Sequence, residues 1–386
     1  MTPSKNRRDR RLRELGLEGA RGMSVLLAFK QKLDLVRLTT MVDYREMVTS
    51  SRFLLIIGAG LAVCSAREPV ARAQAPVAQQ SAQCALVGAA DMPVNLPIYD
   101  GAGQVIARFS GGESSVRASD FPSDAAGKVK IETAIGRGGF RIQGAIEVSK
   151  LPLYTSYSVP VVAGHVWIRA NQSVSPLAGG PGKLKIQKNV TTPLHQTFSA
   201  WAPCSALTLT AGTPPGWNVA GQARGYVLKK DSVDLYDDGL PNAAHVTTLH
   251  RSPVVDGVLF FSTEQRPGFV HVEYQGAVAI DAWARASDLS PLPRGETMDQ
   301  QAPPSTKRNA PKLSLSTTPK AVKPTRDVPI RGAAKDTAPL IGAIEAGTET
   351  YVMDVMAGWV SVMPQSLHVI PPDGAHFWVK ASELGI

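Results

Sequence analysis

Seven histidines and three cysteines are the residues of this 386-residue chain best equipped for chemistry, and their spacing assembles none of the familiar devices. His165, His195, His245, His250, His271, His368 and His376 include no HExxH and no pair at helical ligand spacing, so a zinc hydrolase has no ligand set here. His245 and His250 stand five apart in a stretch read as loop. No GxSxG elbow, Walker loop or GxGxxG occurs. Gly136-Arg137-Gly138-Gly139 reads as a tight turn, because no helical pattern follows it to hold a phosphate. Asp234, Asp237 and Asp238 lack the spacing of a calcium loop and read as a turn before Gly239. Cys204 lies near His195, but inside a strand-like run, and reads as structural rather than nucleophilic. The expectation is no enzyme, no catalytic residue, no cofactor and no metal.

The aromatics are better ordered. Tyr99, Tyr154 and Tyr236 share one position of a recurring pattern, Phe269 and Trp359 a second, and Trp201, Trp283 and Trp378 a third. Aromatic faces bury large area against sugars and peptides at low entropic cost. Tyr99, Tyr154, Tyr236, Phe269 and Trp359 are therefore the candidate ligand-binding residues. The three tryptophans alternate with the other residues of their strands and read as core.

The elements that must carry these residues repeat four times. Each unit opens on a short apolar run: Pro97-Ile98-Tyr99, Pro152-Leu153-Tyr154, Asp234-Leu235-Tyr236 and Pro329-Ile330-Arg331. At near-constant distance each reaches a glycine and an alternating run. These runs are Lys128–Ile131 after Gly127, Lys183–Ile186 after Gly182, Phe269–Val272 after Gly268 and Trp359–Val362 after Gly358. Each closes on an apolar strand and a leucine, at Leu151, Leu207, Leu289 and Leu384. Markers recurring in one order identify a repeat protein. Alternation at period two means strands with one wet face, and glycine at the bend supplies the backbone freedom a tight hairpin needs. No unit shows a helical period.

The fourth unit resembles a bacterial SH3-like (SH3b) domain. The resemblance lies in Val328-Pro329-Ile330-Arg331, Ile341-Gly342 with Glu345 and Gly347, Gly358-Trp359, and the closing Phe377-Trp378-Val379-Lys380-Ala381-Ser382 with Leu384. The third unit is similar through its glycine–aromatic hairpin and Trp283 to Leu289. In the first two units Lys128 and Lys183 stand where the aromatic would be. The resemblance implies an all-β chain of about four tandem small SH3-like β-barrels, joined by loops and one disordered linker. It also implies a non-catalytic binding protein of the cell envelope, holding peptidoglycan peptide or glycan, or an envelope protein. The alternative is a structural scaffold that binds a protein partner and no small ligand.

The expected divisions are an upstream and signal segment at 1–73, units at 84–151, 152–210, 224–290 and 328–386, and a linker at 291–327. The linker is rich in Pro, Thr, Ser and Lys, cannot bury a core, and should hold the fourth unit apart from the rest. Arg7, Arg8, Arg10, Arg11 and Arg13 make the start basic, and Met41 and Met47 are alternative starts. Arg45 and Arg52 precede an apolar run from Phe53 to Ala66, which at 14 residues is short of the roughly 20 a spanning helix needs. Ala71-Arg72-Ala73 offers a signal cleavage site; Cys64 is the competing site of lipidation. A retained anchor is the third reading; all three export the chain to the periplasm or beyond, lipidation as an outer-membrane lipoprotein, with membrane contact only through the signal or the lipid. The net charge of +9 belongs mostly to residues 1–73, which hold 14 of the 41 basic and 7 of the 32 acidic residues. Nucleic-acid binding thereby loses its support. Cys84 and Cys204 remain, an even number that in an oxidising compartment suggests a disulfide, two unpaired thiols being the alternative.

Overall fold

The computed structural model describes residues 83–133, 139–217, 219–293 and 319–386. Cys64, the expected signal segment and most of the expected linker lie outside them. The described chain is all-β, with three short 3-10 turns and one terminal helical turn, Ala381–Leu384.

Four hairpins carry the repeat, and their register is the same. The residue after the marker glycine pairs with the last residue before a helical turn: Lys128 with Glu147, Lys183 with Pro203, Phe269 with Arg285 and Trp359 with Lys380. The glycine carbonyl then accepts from the first amide of that turn. The bonds run from Val148 to Gly127 and from Cys204 to Gly182 at 3.1 Å, and from Ala286 to Gly268 and Ala381 to Gly358 at 2.9 Å. The bend between Met356 and Trp359 has Ala357 at φ 46° and Gly358 at φ 82°, the left-handed pair that a two-residue hairpin of matching twist requires.

This register fixes which side chains enter the core. The residue after the glycine faces out, and the next faces in. Val129 and Ile131, Leu184 and Ile186, Val270 and Val272, and Val360 and Val362 all join the main core. Phe269 and Trp359 are buried but lie on the opposite sheet face, outside that core.

The assembly departs from a string of separate closed barrels. Among the described residues the strands form three open antiparallel sheets, of thirteen, five and ten strands, and two of them cross unit boundaries. The Phe140–Glu147 strand of the first segment pairs with Leu340–Ile344 of the fourth, with Ile142 opposite Gly342. The Val166–Ile168 strand of the second pairs with the Val278–Arg285 strand of the third. One hydrophobic core runs from Cys84 to Leu384. Segments of about 60 residues expose too much surface to be secure alone, and an unpaired strand edge invites a partner. Joining edges answers both needs. Gly342 allows the first seam, because a Cβ there would run into the carbonyl of Arg141. Arg141 reinforces it with an ion pair to Asp327 at 3.1 Å.

The expected linker is corrected in two respects. Lys320–Val322, inside it, is a strand paired with Thr350–Val352, and the fourth segment is docked on the first rather than held apart. Cys84 and Cys204 form the disulfide, 120 residues apart in sequence and 5.5 Å between Cα atoms.

A residue without sequence signal fastens the second and third segments. Arg169, 8% exposed, donates from both terminal nitrogens to four backbone carbonyls. Nη1 reaches Gln275 and Gly276 at 2.9 and 3.2 Å, and Nη2 reaches Pro215 and Gly216 at 2.9 and 2.8 Å. The Gly/Pro-rich loop after residue 210 is thereby anchored, and its Trp217 packs edge-on to Phe261 and Tyr274.

Candidate functional site

Of the five candidate aromatics, Tyr236 and Phe269 are the pair brought into ring contact among the described residues, edge-on at 5.8 Å. Their patch lies on the outer face of the third segment. The Arg285 guanidinium stands 5.5 Å from the Tyr236 ring centroid, and His245 meets the same ring. Trp283, opposite Tyr236 in the sheet, is 6% exposed beneath the Arg266 guanidinium, 4.5 Å from the ring. Arg266 is held there by Asp238 and by Glu264.

The other candidates stand separately. In the first segment Lys128 takes the role that Phe269 plays in the third, its amine 3.6 Å from the Tyr99 ring centroid. Tyr154 is half-buried; burial, with Asp91 nearby, pushes its hydroxyl above the usual tyrosine range. Trp359 lies under Lys380. Trp201 corrects the core reading: it is 45% exposed, flanked by the Lys183 amine at 5.0 Å. Alternation identifies the two faces of a strand but not which of them will be covered.

On the same outer face, His271 Nε2 donates to Asp281 Oδ1 at 2.6 Å. That bond holds the imidazole above its ordinary range despite burial, and holds the Asp281 carboxyl below its own. The raised histidine stabilises the fold fully below its unfolded value near 6.5, and the gain is lost as pH rises through the folded value. The lowered aspartate contributes above its unfolded value near 3.9, and its gain is lost as pH falls. The pair thus supports the fold in a mildly acidic window. Thermal melts of His271→Gln should show a larger loss at about pH 5.5 than at about pH 8.5.

A second place has the form of a binding site. A cavity of about 440 Å³ lies between the first and fourth segments. The Gly112–Ser119 strand pairs with Leu86–Met92 from Gly112 to Ala118, but with Lys128–Thr133 only at Val116–Ser119. The cavity lies beside residues 113–115, where the strand has passed the end of that partner. Its far wall comes from residues 347–349 and 364–369 of the fourth segment. That wall is pinned: Val369 pairs with Phe109, the Ser110 amide donates to the His368 carbonyl at 3.1 Å, and Ser110 Oγ donates to the Leu367 carbonyl.

Ser114, Thr348 and His368 belong to the cavity lining, and Ser114 Oγ, Thr348 Oγ1 and His368 Nδ1 are buried atoms with no hydrogen-bond partner among the described residues. Ser114 is 4% exposed. Each such group costs the fold about 1–3 kcal/mol, and native proteins hold few of them without a purpose. Glu113 and Glu349 add carboxylates, and Phe140, Pro364 and Val369 add apolar wall. Burial pushes the His368 imidazole below its ordinary range, against a smaller opposing effect of Glu113, so it is neutral near pH 7.

Among the described residues no group of histidine, cysteine, aspartate and glutamate is arranged to hold a metal ion. Sequence reasoning missed the cavity because Ser114, Thr348 and His368 belong to no shared motif and come together only through the seam. Comparison with family models, with curated proteins and with solved structures finds no match to this chain.

Proposed function

We propose that this chain is an exported, non-catalytic binding protein of the cell envelope, which holds cell-wall peptide or glycan in the cavity between its first and fourth segments. On this reading the four segments are SH3-like units that have fused their edges, and the fusion makes the site. The observation that carries it is the cavity itself, formed where the first and fourth segments meet and lined by carboxylates, hydroxyls and apolar side chains. Export is supported by the signal-like run from Phe53 to Ala66 and by the disulfide. The test is co-sedimentation of the full chain with purified insoluble wall material. The wild type is expected in the pellet, with Glu113→Arg shifted to the supernatant; a wild type wholly in the supernatant overturns the reading.

A second reading, an assembly scaffold with no small ligand, is favoured by one feature. Val355 and Met356, near the fourth hairpin, are 73% and 58% exposed, more apolar surface than a lone solvated strand end needs. Cross-linking in intact cells separates the two, wall fragments supporting the first and a single protein the second.

A further inference from the structure

We infer that the outer face of the second segment binds an anionic glycan, a sugar ring stacking on Trp201 while Lys183 and Lys185 receive its carboxylates. This face shares no lining residue with the cavity, and the inference does not draw on the cavity's reading.

Charge gives the first observation. All 32 acidic residues of the chain lie outside residues 148–230, so the second segment, at 152–210, holds no carboxylate side chain. Protein surfaces ordinarily intersperse the two signs. This segment carries one sign only, from Arg169, Lys183, Lys185 and Lys188. Arg169 is committed to its four carbonyls, and the Lys188 amine donates to the Ser173 carbonyl at 3.0 Å. Lys183 is exposed and Lys185 half-buried, both on the strand Lys183–Val190. A one-sign surface of this kind draws anions toward it.

Geometry gives the second, independent observation. Leu184 and Ile186 enter the core, as do Phe198, Ala200 and Ala202 of the neighbouring strand Gln196–Pro203. The opposite face presents Lys183, Lys185 and Gln187, with Trp201 directly across from Lys185 and Ser199 across from Gln187. Trp201 is 45% exposed. Its indole lies along the sheet rather than standing on it. A Cβ added at Gly180, in the strand Ser173–Gly180, would come to 3.1 Å from Cζ3 of the ring. That strand is the second neighbour of the one bearing Trp201, about 10 Å away at ordinary strand spacing. An upright side chain would not reach it. Gly180 lets the ring lie down, and the Lys183 ammonium stands 5.0 Å from the ring centroid.

A flat, open aromatic ring beside an ammonium group suits a ligand that is itself a ring with an anionic substituent. The sugar's apolar face covers the indole. Its hydroxyls can bond Gln187 and Ser199, and its carboxylate forms a charge-assisted bond to lysine. A neutral glycan would leave both lysines unused, and an acidic peptide tail would leave the indole uncovered.

Calorimetric titration of the full chain separates these contributions with three probes. A galacturonate oligosaccharide supplies ring and charge, its methyl ester the ring alone, and polyglutamate the charge alone. Wild type should bind the galacturonate most tightly of the three. Trp201→Ala should weaken that binding about fivefold or more while Trp201→Tyr keeps most of it. Lys183→Gln with Lys185→Gln should bring galacturonate and its ester level, and binding should then cease to weaken as salt is raised. All these side chains are at the surface, so melting temperatures should stay near wild type. Equal binding of galacturonate and ester by wild type overturns the inference, and so does galacturonate binding that is indifferent to Trp201→Ala. Sedimentation with anionic phospholipid vesicles, without preference for galacturonate, overturns it in favour of a membrane surface. Absence of saturable galacturonate binding at millimolar concentration refutes this inference alone, because the cavity reading is judged on wall retention and Glu113→Arg.

Discussion

Replacing Arg169 by methionine is expected to destabilise the chain by about 3–5 kcal/mol, although the new side chain is apolar and similar in length. Hydrogen bonds to a charged donor contribute about 1.5–3 kcal/mol each, and Arg169 makes four, to the carbonyls of Gln275, Gly276, Pro215 and Gly216. Removing the guanidinium takes away the donor that the four carbonyls share. Burial lowers the Arg169 pKa, but an arginine stays charged at any ordinary pH. Arg169→Lys keeps the charge and loses the fork, so it should fall between wild type and methionine. Urea unfolding of the three proteins measures the order. Since single domains rest on about 5–15 kcal/mol in all, the methionine variant should unfold at a much lower midpoint. A midpoint within error of wild type would show that the carbonyls find water as readily as they found the guanidinium.

The second large effect is expected from the disulfide. With Cys84 and Cys204 separated by 120 positions, the chain-entropy treatment gives about 4–5 kcal/mol, and removal of native disulfides typically costs about 2–5 kcal/mol. The bond ties the start of the first segment to the turn that ends the second, so its loss also frees the edge on which the first sheet begins. Cys84→Ser with Cys204→Ser should lower the thermal midpoint, and reducing agent should bring wild type to the same value while leaving the double variant unmoved. If reduction leaves the wild-type midpoint unchanged, the bond does no stabilising work.

What could be read from the sequence, and what could not, follows from the range of the interactions. The glycine hairpins were legible because a tight bend demands glycine locally and the strands beside it alternate; the disulfide was legible by parity of the cysteines. The seam was not. Gly342 stood out only as part of a motif, and nothing within a few residues of it signals that the Arg141 backbone passes against it. Arg169 was equally silent, because its four partners lie 46 to 107 positions away. The aromatic positions were found correctly as strand positions, but a two-residue period does not tell which sheet face a neighbouring loop or arginine will cover. Trp201 therefore proved exposed, and Phe269 and Trp359 are buried away from the main core. The cavity combines both failures: its lining residues come from segments whose adjacency depends on the seam.

Where a ligand sits is measured directly by amide hydrogen exchange of the full chain with a soluble digest of wall material. Slowed exchange is expected at residues 112–119, 347–349 and 364–369, with the Tyr236–Phe269–Trp283 face unaltered. Protection confined to that aromatic face, with the cavity strands exchanging as before, would contradict binding in the cavity.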